Sequence, residues 1–349
     1  MNGGRAPSGA LMRALVYADW GVVEIREVPR PVAGPAEAVV RVAACGICGS
    51  ELESFRNRSP RRTPPLVLGH EFCGTVESVG PGVSRFAPGD RVVANSVLSC
   101  GCCAPCRRGD VNLCERRRVF GMQMPGALAE LVAVPGEILY PQPYGLSAIQ
   151  GAVVEPLANA VHVLRLVPEM DRPTVAIMGA GPIGLFALQA ARAMRGARTL
   201  VTDVNPGRLR WAAALGADAV VDPAAGDARD ACRVLSGSDG ADICIDAVGS
   251  RDTRALSVKA LRPGGYAVWI GLHENSTAFD GYDVILAERR VIGSYCATAD
   301  DFRRAMALLE AGSVRVDGWV ETRPLAEAAG LFLDLAAART GIVKGVVLP

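Results

Sequence analysis

Residues 174–184 read TVAIMGAGPIG. A β-type apolar run, TVAIMG, leads into a turn with glycines at 179, 181 and 184, and the following PIGLFALQAARAMRG has a helical pattern. Nineteen residues after Gly184, Asp203 closes the next β-type run, RTLVTD. Glycines at this spacing are weak evidence alone. Set between a strand and a helix, with an acidic residue ending the second strand, they demand a parallel strand–helix–strand unit whose turn lets the backbone approach a pyrophosphate at the helix N-terminus. The rhythm continues through AVVD (219–222), ADICIDAV (241–248), GYAVWIG (265–271) and RVIGSY (290–295), with helix-like segments such as PGRLRWAAALGA between. It predicts a doubly wound parallel sheet.

Gly179, Gly181, Pro182, Ile183 and Gly184 are therefore candidate contacts to a dinucleotide, and Asp203 is the candidate acceptor for its adenosine ribose. The expected cofactor is NAD rather than NADP. A carboxylate at 203 would repel a 2′-phosphate carrying roughly −1.5 to −2 charges. Val204, Asn205, Pro206 and Gly207 bring no cation, and Arg208 is the nearest basic group.

Residues before 156 read differently. Short β-type runs (ALVY, AVVRVAA, GTVESVG, DRVVANSV, ALAELVAV) among Gly and Pro predict a partly open antiparallel β domain, after a loose tail over 1–11 and a first strand at Met12–Tyr17. The stretch 100–114, CGCCAPCRRGDVNLC, holds five of the eleven cysteines. The opening residues lack the apolar core of an export signal, so reduced thiols are expected, and a tight cluster of them reads as a metal site. Cys100, Cys103, Cys106 and Cys114 form one frame whose spacings let four thiolates close around a tetrahedral zinc. A closed shell leaves no place for substrate, which makes this zinc structural. Cys102 falls outside the frame. Cys45, Cys73, Cys232, Cys244 and Cys296 read as small core residues.

The net charge of +1 carries no electrostatic footprint for nucleic acid, and the absence of a long apolar run predicts no membrane span. Of 37 basic residues only Lys259 and Lys344 are lysines, a compositional bias. The arginine-rich FRNRSPRR (55–62) reads as a solvated rim, with recognition of an anionic substrate group as the alternative.

Three further pieces complete a resemblance: GICGSELESF (46–55), LGHEFCG (68–74) and VEPLANAVH (154–162). With the cysteine lobe and the glycine turn, five motifs in order over nearly the whole chain resemble the zinc-dependent medium-chain dehydrogenases, specifically the polyol branch that includes the sorbitol dehydrogenases. The resemblance implies a GroES-like partly open β-barrel catalytic domain, over 1–155 with the structural-zinc lobe at about 95–116. It implies a Rossmann NAD-binding domain over 156–295 and a return segment over 296–349. Thr298 or Asp300 is expected to cap the helix that opens this last segment.

By the same resemblance Cys48, not Cys45, binds a catalytic zinc together with His70, and either Glu71 or Glu155 is the third ligand. Ser50 matches the proton-relay hydroxyl. Arg208, Val248, Gly271 and Lys344 are implied cofactor contacts, an arginine such as Arg208 commonly accompanying NAD in this family. His162 shares a helical face with Glu155 and reads as packed rather than ligating, and His273 has no assigned role.

The chain departs from the family's pattern at Glu51, Glu53 and Phe55, where Asp, His and Tyr or a similar residue are usual. Glu51 can still orient His70. The proton exit through position 53 is in doubt, and a phenylalanine at 55 changes the expected pocket.

These readings converge on an oxidoreductase that uses NAD and two zinc ions per chain and acts on a secondary alcohol of a polyol, sugar or cyclitol-like compound. The expected setting is the cytoplasm, as a homodimer or homotetramer, without nucleic acid or membrane. Two rivals are a ketone reductase running in reverse and a homologue that binds zinc and nucleotide but has lost catalysis.

Overall fold

The computed structural model describes residues 9–278, 280–338 and 341–349. The expected tail over 1–11 therefore lies outside the described residues as far as residue 8, and the first strand, Leu11–Asp19, begins one residue before and ends two after the span expected for it. The chain forms two compact units. One ends at Glu155 and resumes over Val316–Pro349, and the other is Pro156–Arg315.

The first unit is built around Glu37–Gly46, whose alternating apolar residues Val40, Val42 and Ala44 are buried. This strand pairs antiparallel with Glu71–Val79, with Leu131–Pro135 and, at Cys45 and Gly46, with the returning strand Lys344–Leu348. Lys344–Leu348 runs parallel to Val320–Pro324, one exception to an otherwise antiparallel sheet. A second, three-stranded sheet contains Leu11–Asp19, Val22–Pro29 and Leu66–Val67. The core between these layers includes Leu15, Val40, Phe72, Val92, Leu128 and Phe332.

Phe55, expected to reshape a pocket, is instead held in an aromatic cluster. Its ring centroid lies 5.3 Å from that of Phe332 and 5.8 Å from that of Tyr17.

In the second unit six strands form a wholly parallel sheet in the order Ala219–Val221, Arg198–Thr202, Thr174–Met178, Ala241–Asp246, Leu261–Trp269, Arg290–Gly293. All five residues of Thr174–Met178 are buried, as a central strand covered on both faces requires. The chain leaves this strand to one side and later returns to the other, which opens a crevice at the carboxyl ends of the strands.

This unit extends to Arg315, twenty residues beyond the expected boundary at 295. The reason is a polar anchor. Asp301, fully buried near the start of helix Ala299–Glu310, lies 2.9 Å from His162 Nδ1 and accepts from Arg165 Nη1 at 2.6 Å. Thr298 caps that helix, and Asp301 Oδ2 accepts in turn from the Thr298 N–H. Cys296 departs from the core reading: it is half-buried, with φ of +54°. Among the described residues no helix is long and apolar enough to cross a membrane.

Candidate metal and cofactor sites

Gly46, Ile47 and Cys48 lead from the central strand into helix Gly49–Arg56. The Cys48 N–H is accepted by Glu51 Oε2 at 3.0 Å, which fixes the first turn and the direction of the Cys48 side chain. His70 follows Gly69, whose φ of +104° suits glycine and whose Cβ would stand 2.4 Å from the Leu128 nitrogen. Glu51 ties the two pieces together. Its Oε1 accepts from the Gly69 N–H at 2.7 Å and lies 3.3 Å from His70 Nδ1. An ionised carboxylate can only accept, so Nδ1 carries the proton and Nε2 is free to ligate.

The ligating atoms of Cys48, His70 and Glu71 lie within 4.8 Å of one another. Glu155 is not in this group. It is buried and accepts from the Ser96 hydroxyl at 2.8 Å. Lys344 lies at the start of the returning strand of the first unit. Its ammonium is buried in the first unit, where it donates to the Ile47 carbonyl at 2.9 Å and pairs with Glu71. Arg62 departs from the solvated-rim reading, being 1% exposed, whereas Arg56, Arg58 and Arg61 are exposed.

Glu51 and Glu71 are buried carboxylates beside His70, and Arg62 and Lys344 are buried bases. Burial would raise the Glu51 carboxyl, but His70, Arg62 and the Cys48 N–H hold it at about 2. Burial would lower the His70 imidazole, yet the Cys48 sulfur and Glu51 outweigh it and raise its pKa. A cysteine sulfur, an imidazole nitrogen and a carboxylate are donors that zinc prefers, so the residues fit zinc.

The cysteine lobe is built from turns. Gly101 (φ +71°) and Gly109 (φ +91°) reverse the chain on either side of the short helix Ala104–Arg108. The sulfurs of Cys100, Cys103, Cys106 and Cys114 all lie within 4.8 Å of one another. Backbone N–H groups, that of Cys102 first, pull the Cys100 thiol down to about 5, while burial and then the sulfurs of Cys103 and Cys114 push Cys106 up to about 11. Four sulfurs packed so closely cannot all ionise without a cation between them, which again fits zinc. Cys102 stands outside the four. It is exposed, and its sulfur accepts from Arg116 Nη2 at 2.7 Å.

In the second unit Gly181 caps helix Pro182–Arg195, with Pro182 in its first turn. A Cβ on Gly184 would stand 1.8 Å from the Gly179 carbonyl oxygen, so only glycine lets the helix start this close to the strand. Ile183, expected at the cofactor, is partly buried in the first turn of this helix. Asp203 ends the neighbouring strand, accepting from the Ala180 N–H and the Asn205 N–H, each at 2.8 Å, with Arg208 Nη1 4.0 Å away. The Val248 side chain would touch a Cβ on Gly179, and a Cβ on Gly271 would strike the Val248 backbone, so both positions lie against the glycine turn at the strand ends. His273 donates its N–H to the Val248 carbonyl.

A parallel doubly wound unit with a dinucleotide turn, and a β unit with a buried Cys–His–Glu cluster and a four-cysteine lobe, define a zinc-dependent, nucleotide-using oxidoreductase. The chain belongs to the zinc-dependent medium-chain alcohol and polyol dehydrogenases. Residues 34–144 match the alcohol dehydrogenase GroES-like domain family and residues 182–311 the zinc-binding dehydrogenase family. The chain is 30% identical to L-galactonate-5-dehydrogenase of Escherichia coli (strain K12), over 92% of its own length and 94% of that protein's. It is 32% identical to D-xylulose reductase A of Aspergillus oryzae (strain ATCC 42149 / RIB 40), over 85% and 86%. Among solved structures, a protein described only as a zinc-binding dehydrogenase of Sinorhizobium meliloti 1021, bound to NADP, superposes with a TM-score of 0.90 at 34% identity, over 97% of this chain and 100% of the other.

Three participants left no clear signal in the sequence. Nothing near Lys344 in the sequence points to Glu71, Ser96 lies in a bend between two short strands, and Arg62 sits in a charged run that resembles surface.

Proposed function

We propose that this oxidoreductase interconverts a secondary alcohol and a ketone on a polyol, sugar or cyclitol-like substrate, with NAD as cofactor, one catalytic zinc on Cys48, His70 and Glu71, and one structural zinc on Cys100, Cys103, Cys106 and Cys114. The observation that carries the reading is the convergence of the ligating atoms of Cys48, His70 and Glu71 within 4.8 Å of one another, with His70 and Glu71 buried. Three protein ligands leave a fourth position open. The alternative third ligand is Glu155, whose Oε1 accepts from the Ser96 hydroxyl.

Zinc held there by Cys48, His70 and Glu71 would supply a Lewis acid for the substrate oxygen. A nicotinamide held at the glycine turn would supply the acceptor or donor of the hydride. The chain's own groups do the rest. Glu51 fixes the His70 tautomer. Lys344 neutralises Glu71. The Ser50 hydroxyl, 3.3 Å from Cys48 Sγ, is placed to accept a hydrogen bond from a substrate hydroxyl. Gly179, Gly181, Pro182, Ile183, Gly184, Val248 and Gly271 line the approach for the dinucleotide.

The names of the two relatives, a galactonate dehydrogenase and a xylulose reductase, support a sugar-derived substrate, and the second also supports ketone reduction as the alternative direction. NAD is favoured by the Asp203 carboxylate. Arg208, 4.0 Å from it, is the group an NADP reading would need. Free thiols throughout the described chain favour the cytoplasm, and a homodimer or homotetramer is the assembly we expect.

The test is zinc content of the purified protein together with reduced-nicotinamide absorbance on xylitol, D-sorbitol, L-galactonate and 2,3-butanediol, with either cofactor. Cys48→Ser and His70→Ala should abolish turnover with the lobe zinc retained. Full turnover in either would remove this site from the reaction.

A further inference from the structure

Arg62 is among the largest fully buried side chains in the molecule. Its guanidinium spends four of its donors on one small region. Nε donates to the Gly121 carbonyl at 2.8 Å. Nη1 donates to the Ser50 carbonyl at 2.8 Å and to Ser54 Oγ at 3.0 Å, and Nη2 donates to Ser50 Oγ at 3.1 Å. Among the described residues no carboxylate comes within ion-pair distance of it. A buried guanidinium without a contacting anion is costly, so its place calls for a reason beyond tying a loop to a helix.

The reason lies in the bond to Ser50. That hydroxyl has one proton and two lone pairs, and it donates its proton to Cys48 Sγ at 3.3 Å. A guanidinium cannot accept a proton, so the Arg62 bond occupies one lone pair permanently. One lone pair is left, and the hydroxyl is held by a rigid fork on one side and by the Cys48 sulfur on the other. We propose that Arg62 is a positioning residue of the reaction: it locks the Ser50 hydroxyl beside Cys48 so that its single free lone pair is the acceptor an incoming alcohol meets. The assignment rests on the proposed role of Ser50 and goes beyond it, because the serine acts only when held. The same positive charge also offsets the buried anions around His70.

The test has two arms on the zinc-loaded protein. The first is thermal unfolding of Ser50→Ala. Losing Oγ strands a buried Arg62 donor, and the melting temperature falls by roughly 2–4 °C. An unchanged melting temperature means that the serine is not held by Arg62, and overturns the proposal. The second arm is a kinetic cycle with xylitol, D-sorbitol, L-galactonate and 2,3-butanediol. Arg62→Gln lowers kcat by roughly tenfold or more with KM little changed, Arg62→Lys recovers part of the loss, and Ser54→Ala stays near wild type. In a Ser50→Ala background Arg62→Gln costs nothing further. If the losses multiply instead, Arg62 acts through the fold alone and the proposal fails while the role of Ser50 stands. Full turnover by Ser50→Ala removes the serine from the chemistry, and the arginine with it. Should neither Arg62 variant fold, the Ser50→Ala melting shift decides.

Discussion

Lys344→Met tests the charge balance of the buried pocket. Lys344 and Glu71 are each no more than 2% exposed, and the ammonium also donates to the Ile47 carbonyl. Burial alone would lower the lysine's pKa, but Glu71, Cys48 and Glu51 raise it, so the ammonium is charged throughout the neutral range. Methionine keeps the volume and removes the charge, leaving Glu71 buried against Cys48 and Glu51.

Breaking a buried pair from one side costs about 3–5 kcal/mol, whereas replacing both partners is close to neutral. Chemical denaturation should therefore show Lys344→Met destabilised by about 3–5 kcal/mol and Lys344→Met with Glu71→Gln restored most of the way. A metal on Cys48, His70 and Glu71 would supply positive charge beside Glu71, so the penalty of Lys344→Met should grow after chelation. A single variant within about 0.5 kcal/mol of wild type, a double variant no more stable than the single, or a penalty indifferent to chelation would refute the reasoning.

Other outcomes follow from single contacts. Cys102→Ser should keep the lobe zinc and Cys103→Ser should lose it, measured as zinc per chain after gel filtration, because only Cys103 lies among the four converging sulfurs. Asp203→Ala should weaken NAD use and narrow the gap to NADP in steady-state kinetics, since the carboxylate that discriminates against a 2′-phosphate is gone. Asp301→Asn should destabilise the protein in a pH-dependent way. Burial would raise this carboxyl, but His162, Thr298 and Arg165 outweigh it and depress its pKa. A depressed carboxyl contributes stability above its unfolded value near ~3.9 and loses it as pH falls through the folded value, so the wild-type advantage in melting temperature should be full at neutral pH and shrink below about pH 4.

The parts of the molecule legible in the sequence are those whose partners are close along the chain. The four lobe cysteines fall within fifteen residues, so their spacing alone brings the sulfurs together. The glycine turn is a local backbone device, and Gly184 is required by a clash only five residues away at Gly179. Hydrophobic period and turn residues placed the six parallel strands for the same reason. The illegible parts depend on distant pairings. Lys344 meets Glu71 across 273 positions, and Ser96 meets Glu155 across 59. Arg62 is the instructive case. A run of arginines near a loop resembles a solvated face because its composition shows no acceptor. The acceptors are the carbonyls of Gly121 and Ser50, and every residue carries one, so nothing in the side-chain pattern marks them.

The two candidate metal clusters differ in a way that bears on their proposed roles. In the lobe the ligands are four sulfurs, and the groups that favour their ionised forms are chiefly backbone N–H donors from the same loop, such as those of Cys102 and Cys103 on Cys100. Such a shell is complete and electrically self-contained. It has nothing to offer a substrate and contributes by closing the loop. The Cys48, His70 and Glu71 cluster has three ligands of three kinds, held by side chains that carry charge: Glu51 behind His70, Lys344 behind Glu71, and Arg62 reaching Cys48 through Ser50. Buried charges are costly and are not needed to hold a metal for structure alone. Their concentration around the cluster with an open position is what a reaction that moves a proton and a hydride requires, because the charge on the substrate oxygen changes there and fixed charges stabilise the change without reorganising.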